Sequence, residues 1–170
     1  PSQQIEQFKF ADGTTIATNT LIAQNGVGLI ASGSSSNDAI IGSSFADILR
    51  GLAGNDSLSG LAGNDTLIGS TGNDHYQFAL GDGADIIEDS GGNDAIEFAI
   101  GVKQEDLEFN QVENDLILRN NKTADQVTIK NWMVSADNQI ERLVLNDTSL
   151  SLLQLVDDFN RVKTGTNGDD

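Results

Sequence analysis

The chain has 170 residues, 26 of them acidic and 9 basic, for a formal charge of −17, with one histidine and no cysteine. That length holds one substantial domain or two small ones. The acidity argues against nucleic acid and against insertion into an anionic membrane, and the missing cysteines exclude disulfides and thiolate metal sites.

From the start of the chain, residues 5–10 (IEQFKF) read as a strand with Phe8 and Phe10 on one face, and 11–14 (ADGT) as a turn. Residues 15–32 form an apolar, glycine-interrupted connector. Within it Gly26, Gly28 and Ala31 fit the dinucleotide pattern G-x-G-x-x-A. That pattern needs a strand before it and a helix after it, and here it runs straight into a repeat, so a hinge or cap is the expected reading.

From residue 33 to 77 the chain divides into nine-residue blocks: GSSSNDAII, GSSFADILR, GLAGNDSLS, GLAGNDTLI and GSTGNDHYQ. Each opens with glycine (Gly33, Gly42, Gly51, Gly60, Gly69). Each has aspartate sixth (Asp38, Asp47, Asp56, Asp65, Asp74) and a large apolar residue eighth (Ile40, Leu49, Leu58, Leu67, Tyr76). The first six places favour turns, and the last three suit a very short strand. Two blocks make a coil of eighteen residues, so Asp38, Asp56 and Asp74 stack on one edge and Asp47 and Asp65 on the other. Carboxylates stacked about 4.8 Å apart repel unless a cation stands between them. Oxygen donors on a flexible loop suit Ca²⁺ better than Mg²⁺. The candidate ligands are these five aspartates, with turn atoms of Gly33, Gly51, Gly54, Asn55, Gly60, Gly63, Asn64, Gly69, Gly72 and Asn73. Several Ca²⁺, about three to six, are expected.

This block pattern, G-G-x-G-x-D-x-U-x, is that of calcium-binding parallel β-helices, and the chain resembles the RTX (repeats-in-toxin, or haemolysin-type calcium-binding) family. The match is close over GLAGNDSLSGLAGNDTLIG. It is looser in the first two blocks, where Ser36 and Phe45 replace the fourth-place glycine and Ala46 the usual asparagine.

After Gln77 the Gly/Asp chemistry continues in a new register. Asp85 follows Asp74 by eleven residues, so two residues bulge out before the ladder resumes, and Asp85 and Asp94 extend the rows. Asp82 and Asp89 are weaker candidates. From residue 101 the nonapeptides stop. Residues 107–110 and 116–119 read as a hairpin around 112–115, 126–132 and 140–145 as two further strands, and Trp132 as a core anchor. Residues 149–159 have helical spacing at Leu150, Leu153 and Val156. This part is similar to the domain that follows RTX repeats in many haemolysin-type proteins.

The expected fold is all-β: a parallel, right-handed β-roll capped by antiparallel strands, with a short C-terminal helix. The expected divisions are an N-terminal segment (1–32), the roll (33–100), an antiparallel cap (101–148), and a helix or connector that opens the next repeat block (149–170). Catalysis is not expected. His75 lies inside a repeat with no G-x-S-x-G elbow near it, and the repeat gives its aspartates equivalent environments. The resemblance implies export by type I secretion machinery to the extracellular space or cell surface. The alternative is a calcium-dependent module that binds a glycan or protein for an attached enzyme or toxin. The outward seventh places (Ala39, Ile48, Ser57, Thr66, His75) carry no aromatic row to mark such a face.

The two ends of the chain resemble each other. Residues 5–12 (IEQFKFAD) align with 140–147 (IERLVLND) at a spacing of 135, and 33–38 (GSSSND) with 165–170 (GTNGDD) at 132. A tandem array with a period of about 130 residues, neighbouring copies of one module, is therefore expected. The flanking sequence of the full protein checks it: unrelated residues on both sides would refute the array.

Overall fold

A computed structural model describes residues 7–9, 15–17, 28–145 and 148–164. Gln7–Lys9 (β1) and Thr15–Ala17 (β2) pair antiparallel. The rest of 1–27, and 165–170 with its match to residues 33–38, lie outside the described residues.

The nonapeptides form a parallel roll of about four turns. Each coil gives one short strand to each of two sheets. Ile30–Ser32 (β3), Ile48–Ala53 (β5), Thr66–Thr71 (β7) and Ala84–Asp89 (β9) build one sheet. Ala39–Ile41 (β4), Ser57–Ser59 (β6), His75–Phe78 (β8) and Ala95–Phe98 (β10) build the other. Strands this short suffice because each eighth-place side chain sits between the two sheets. Ala31, Leu49, Leu67 and Ile87 form one buried column. Ile40, Leu58, Tyr76 and Ile96 form the facing one. Leu49, Leu58, Leu67, Tyr76, Ile87 and Ile96 have no exposed surface. Full burial of such a side chain is worth about 1.5–3 kcal/mol, so the columns supply the roll's apolar cohesion.

The coil offset is eighteen residues from Ile48 to Thr66 and twenty from Thr66 to Ile86. The two added residues are the expected insertion, taken up at the turn before β9, and a separate register irregularity falls between Ile68 and Ser70.

Three expectations change. Residues 28–32 are not connector: β3 is the first rung of the roll, and Leu29 and Ala31 enter its core. The region 101–148 is not wholly antiparallel. Leu107–Val112 (β11) and Asp115–Asn120 (β12) form the expected hairpin. Gln126–Ile129 (β13), however, pairs parallel with β9, and Arg142–Leu145 (β14) parallel with β10. Their apolar residues Val127, Ile129, Leu143 and Leu145 continue the inward columns, so a fifth rung forms without the repeat motif. The strand at 126 ends at Ile129, and Trp132 follows it in a turn, 2% exposed, as the expected anchor. Third, Leu150 lies in a strand, Thr148–Ser151 (β15), antiparallel to β14. The helix begins later, at Leu152–Thr164 (α1), and buries Leu152 with Leu155 and Val156 packed against the core, leaving Leu153 exposed. Covering the free edge of β14 takes precedence over local helical spacing. Among the described residues no helix is long and apolar enough to cross a membrane.

Glycine at the fourth place is dictated by stacking. Gly72 has φ +129°, and a Cβ there would stand 1.8 Å from the Gly54 carbonyl oxygen of the coil before. Gly81, at φ +93°, has open space around it. Gly81→Ala is therefore expected to cost only left-handed strain, about 1–2 kcal/mol. Gly72→Ala adds a backbone clash and is expected to cost about 3 kcal/mol or more. Urea unfolding of the two variants in saturating calcium checks the ordering.

Candidate metal centre

The two rows of aspartates are continuous hydrogen-bonded ladders. Along one edge the Asp38 amide donates to Asp56 Oδ1 at 2.8 Å, Asp56 to Asp74 at 2.8 Å, and Asp74 to Asp94 at 2.7 Å. Along the other, Leu29 donates to Asp47 Oδ1, Asp47 to Asp65 at 2.7 Å, and Asp65 to Asp85 at 2.9 Å. Each carboxylate thus ties its own turn to the coil before it. All seven predicted aspartates stand in these rows, with the edges assigned as the eighteen-residue count predicts.

The second carboxylate oxygen carries the chemistry. In Asp56, Asp65, Asp74 and Asp94, Oδ2 is buried and has no hydrogen-bond partner. The first-place glycines make room for it. A Cβ on Gly51 would lie 2.2 Å from Asp56 Oδ2 and 3.0 Å from the Gly69 carbonyl oxygen of the next coil. A Cβ on Gly60 would lie 2.2 Å from Asp65 Oδ2. At Gly51 a bare carboxylate oxygen and a backbone carbonyl of the following coil therefore converge on one small space. Burying an anionic oxygen without a donor is costly. The donor set here is oxygen alone, as a hard divalent cation requires. These residues fit Ca²⁺.

The row closes on a richer cluster. Ligand oxygens of Asp74, Asp89 and Asp94 lie within 4.8 Å of one another, and all three residues are buried. Asp89 stands five residues before Asp94, as Gly69 does before Asp74, so a carboxylate occupies the first place of its block. Tyr76 Oη donates to Asp89 Oδ2, which places a phenol at the edge of the cluster. Asp89, weak by sequence, is drawn into the site, and that five-residue spacing was the signal available for it. Asp82 instead caps its own turn, accepting the Ala79 amide at 2.6 Å.

The asparagines at the fifth place do something other than face the carboxylates. Asn55 Oδ1 accepts the Asn73 amide, Asn73 Oδ1 the Asn93 amide, each at 2.8 Å, and Asn64 Oδ1 the Ala84 amide at 3.0 Å. They form an exposed amide ladder outside the aspartate rows.

Two residues beyond the repeats complete the ends. Glu141 Oε2 accepts the Asp94 amide at 2.7 Å, so a glutamate takes the sixth-place position on the fifth rung. Asp125 accepts the Gly81 and Gly83 amides at 2.9 and 3.2 Å and closes the turn before Asp85. In the other row Val127 pairs with Asp85, and the carboxylates end there. Nothing local in the sequence marks Glu141 or Asp125, because their contacts span 47 and more than 40 residues.

Burial pushes these carboxyls up, and their neighbours' charges add to it. Asp65 is raised to about 6 by burial, with Asp47 and Asp82 repelling it. Asp85 is raised to about 7 by burial, then by Asp65, Asp82 and Asp125. Asp89 is raised to about 6 and Asp94 to about 7, again mainly by burial, with Asp89, Glu141 and Asp74 acting on Asp94. Asp74 is raised for the same leading reason, and burial beside Asp89 pushes the Tyr76 phenol well up.

Comparison with protein families matches the chain to two models. The RTX calcium-binding nonapeptide repeat model matches residues 32–67, 41–76 and 80–101. The haemolysin-type calcium-binding-protein-related domain matches residues 115–151. Together they cover more than half of the chain. Comparison with curated proteins gives no match.

The raised carboxyls fix the sign of the pH dependence. Without metal, the folded chain holds more protons than the unfolded chain between about pH 4, the ordinary aspartate value, and about pH 7. The stability this protonation provides is full below about pH 4 and is lost as pH rises through 6–7. Protons also compete with calcium. In chelator, β-sheet circular dichroism is expected to be stronger at pH 5 than at pH 8, and the calcium midpoint to fall between pH 5 and pH 8. Spectra and titrations at the two pH values check both directions.

Proposed function

Because the chain belongs to the RTX calcium-binding nonapeptide repeat family, with a haemolysin-type calcium-binding-protein-related domain behind its repeats, we propose that it is a calcium-driven folding module of a larger secreted protein, without catalysis of its own. The observation that carries this reading is the set of buried, unpartnered Oδ2 atoms on Asp56, Asp65, Asp74 and Asp94. A fold that buries four such oxygens is completed by cations.

The mechanism is linkage. Extracellular modules bind calcium with dissociation constants of about 10⁻⁴–10⁻³ M. At millimolar calcium a site of about 10⁻⁴ M stabilises the fold by roughly 1.4 kcal/mol, and several on one cooperative unit reach the size of a domain's whole stability. At submicromolar calcium the term is close to zero, and the −17 charge keeps the chain expanded. The protein's own part is to hold one carboxylate oxygen on the amide ladder, aim the other into the gap between coils, and seal the gap with first-place glycines. Such a chain passes unfolded through type I secretion machinery and folds outside the cell.

We also read the module as one member of a tandem array, a calcium-stiffened extender of an adhesin-like protein. The end-to-end sequence match supports this. So does the pairing of β1, which aligns with β14 at the 135-residue spacing: each is followed by an antiparallel strand within a few residues.

With chelator at neutral pH, far-UV circular dichroism is expected to show a largely disordered chain. Millimolar Ca²⁺ restores β signal and equal Mg²⁺ does not. A well-folded roll in chelator would sink the mechanism.

A further inference from the structure

The five turns of the nonapeptide run adopt two different states, and the difference falls on the metal-binding oxygen. In turns 51–56, 60–65 and 69–74 the second-place residue is left-handed: Leu52 at φ +84°, Leu61 at +65° and Ser70 at +77°. The fourth-place glycines Gly54, Gly63 and Gly72 are left-handed too, and the aspartate Oδ2 has no partner.

In turns 33–38 and 42–47 neither the second nor the fourth place is left-handed. The second-place amide points inward and takes the aspartate oxygen for itself. Ser34 donates its amide to Asp38 Oδ2 at 2.6 Å and its hydroxyl to the same atom at 2.9 Å. Ser43 donates its amide to Asp47 Oδ2 at 2.5 Å and its hydroxyl to Oδ1 at 3.0 Å. The same hydroxyls accept the fourth-place amides of Ser36 and Phe45 at 3.1 and 3.2 Å. An N–H aimed at a carboxylate oxygen does there what a cation would do in the other state.

Ser70 separates the two variables. It is a second-place serine like Ser34 and Ser43, yet it is left-handed and leaves Asp74 Oδ2 bare. What distinguishes its turn is glycine at the fourth place. A residue with a Cβ keeps φ negative there, and the first–second peptide then presents its N–H to the carboxylate.

We propose that the fourth-place residue selects the turn state, and that the first coil is self-capped: Asp38 and Asp47 are closed by Ser34 and Ser43 and hold no Ca²⁺. This rests on the reading of the open turns as calcium sites. The N-terminal coil is then a metal-independent rung, on which the calcium-dependent coils stack. Burial alone does not account for the distinction, since Asp47 and Asp65 are each 1% exposed, yet the Ser43 amide holds Asp47 Oδ2 and Asp65 Oδ2 has no partner.

The test counts calcium ions bound to the folded full chain by native mass spectrometry, alongside the calcium midpoint by circular dichroism. Asp65→Asn is expected to lose one ion and raise the midpoint several-fold, and Asp47→Asn to keep the wild-type count. Phe45→Gly and Ser36→Gly, which need no buried replacement, are each expected to gain one ion. Loss of an ion in Asp47→Asn, or an unchanged count in both glycine variants, overturns the proposal. A wild-type chain that binds no calcium overturns the calcium reading itself, which separates the two failures.

Discussion

A carboxylate buried with one oxygen on a backbone amide and the other facing no donor is an anion in an unfinished environment. The roll contains four of these, at Asp56, Asp65, Asp74 and Asp94. Its regular features are arranged around them. First-place glycines leave the space that Oδ2 occupies in Asp56, Asp65 and Asp74, and fourth-place glycines let the carbonyls of successive coils stack. The amide ladder through Oδ1 fixes each carboxylate at the seam between two coils. The apolar columns of Leu49, Leu67 and Ile87 and of Leu58, Tyr76 and Ile96 hold the two sheets together, and of these side chains Tyr76 reaches a seam, through its phenol. Apart from that contact, apolar burial and carboxylate electrostatics act on different parts of the same coil. The first favours the fold at all calcium levels, and the second opposes it until the charge is met.

The roll's two ends resolve this tension in different ways. At the N-terminal end, serine amides and hydroxyls supply local hydrogen-bond donors to the carboxylates of Asp38 and Asp47. At the C-terminal end the negative charge is concentrated instead, with Asp89 joining Asp74 and Asp94 and Glu141 closing the row. A cluster of three carboxylates is the strongest electrostatic demand for a divalent cation in the described residues. It lies where the repeat hands over to the fifth rung. Beyond it β13 and β14 continue the parallel ladders, and the hairpin β11–β12, strand β15 and helix α1 cover the last open edges.

Much of this was legible in the sequence because the repeat writes its geometry in one dimension. An eighteen-residue period placed Asp38, Asp56 and Asp74 on one edge and Asp47 and Asp65 on the other, and the eleven-residue step after Asp74 announced the two-residue insertion. Where the period stops, legibility stops with it. The parallel pairing of β13 with β9 and β14 with β10 depends on contacts across roughly 40 residues, and no local pattern separates a parallel rung from an antiparallel cap strand. Leu150 and Leu153 have helical spacing, yet the demand of an uncovered β14 edge holds Leu150 in a strand and shifts the buried helix face to Leu152, Leu155 and Val156. Asn55, Asn64 and Asn73 recur at regular spacing, but the period does not show that their Oδ1 atoms meet the amides of the next coil. The two turn states were also hidden. Ser36 and Phe45 marked the first blocks as irregular without revealing that a serine amide would close the carboxylate.

The most direct test of the account is anomalous diffraction from crystals grown in calcium, which places the ions without reference to any spectroscopic change. The account predicts density between coils, against Asp56 Oδ2 and the Gly69 carbonyl, against Asp65 Oδ2, and within the Asp74, Asp89 and Asp94 cluster. Ions found only on outward-facing acidic side chains, with these Oδ2 atoms protonated or bridged by water, would contradict it.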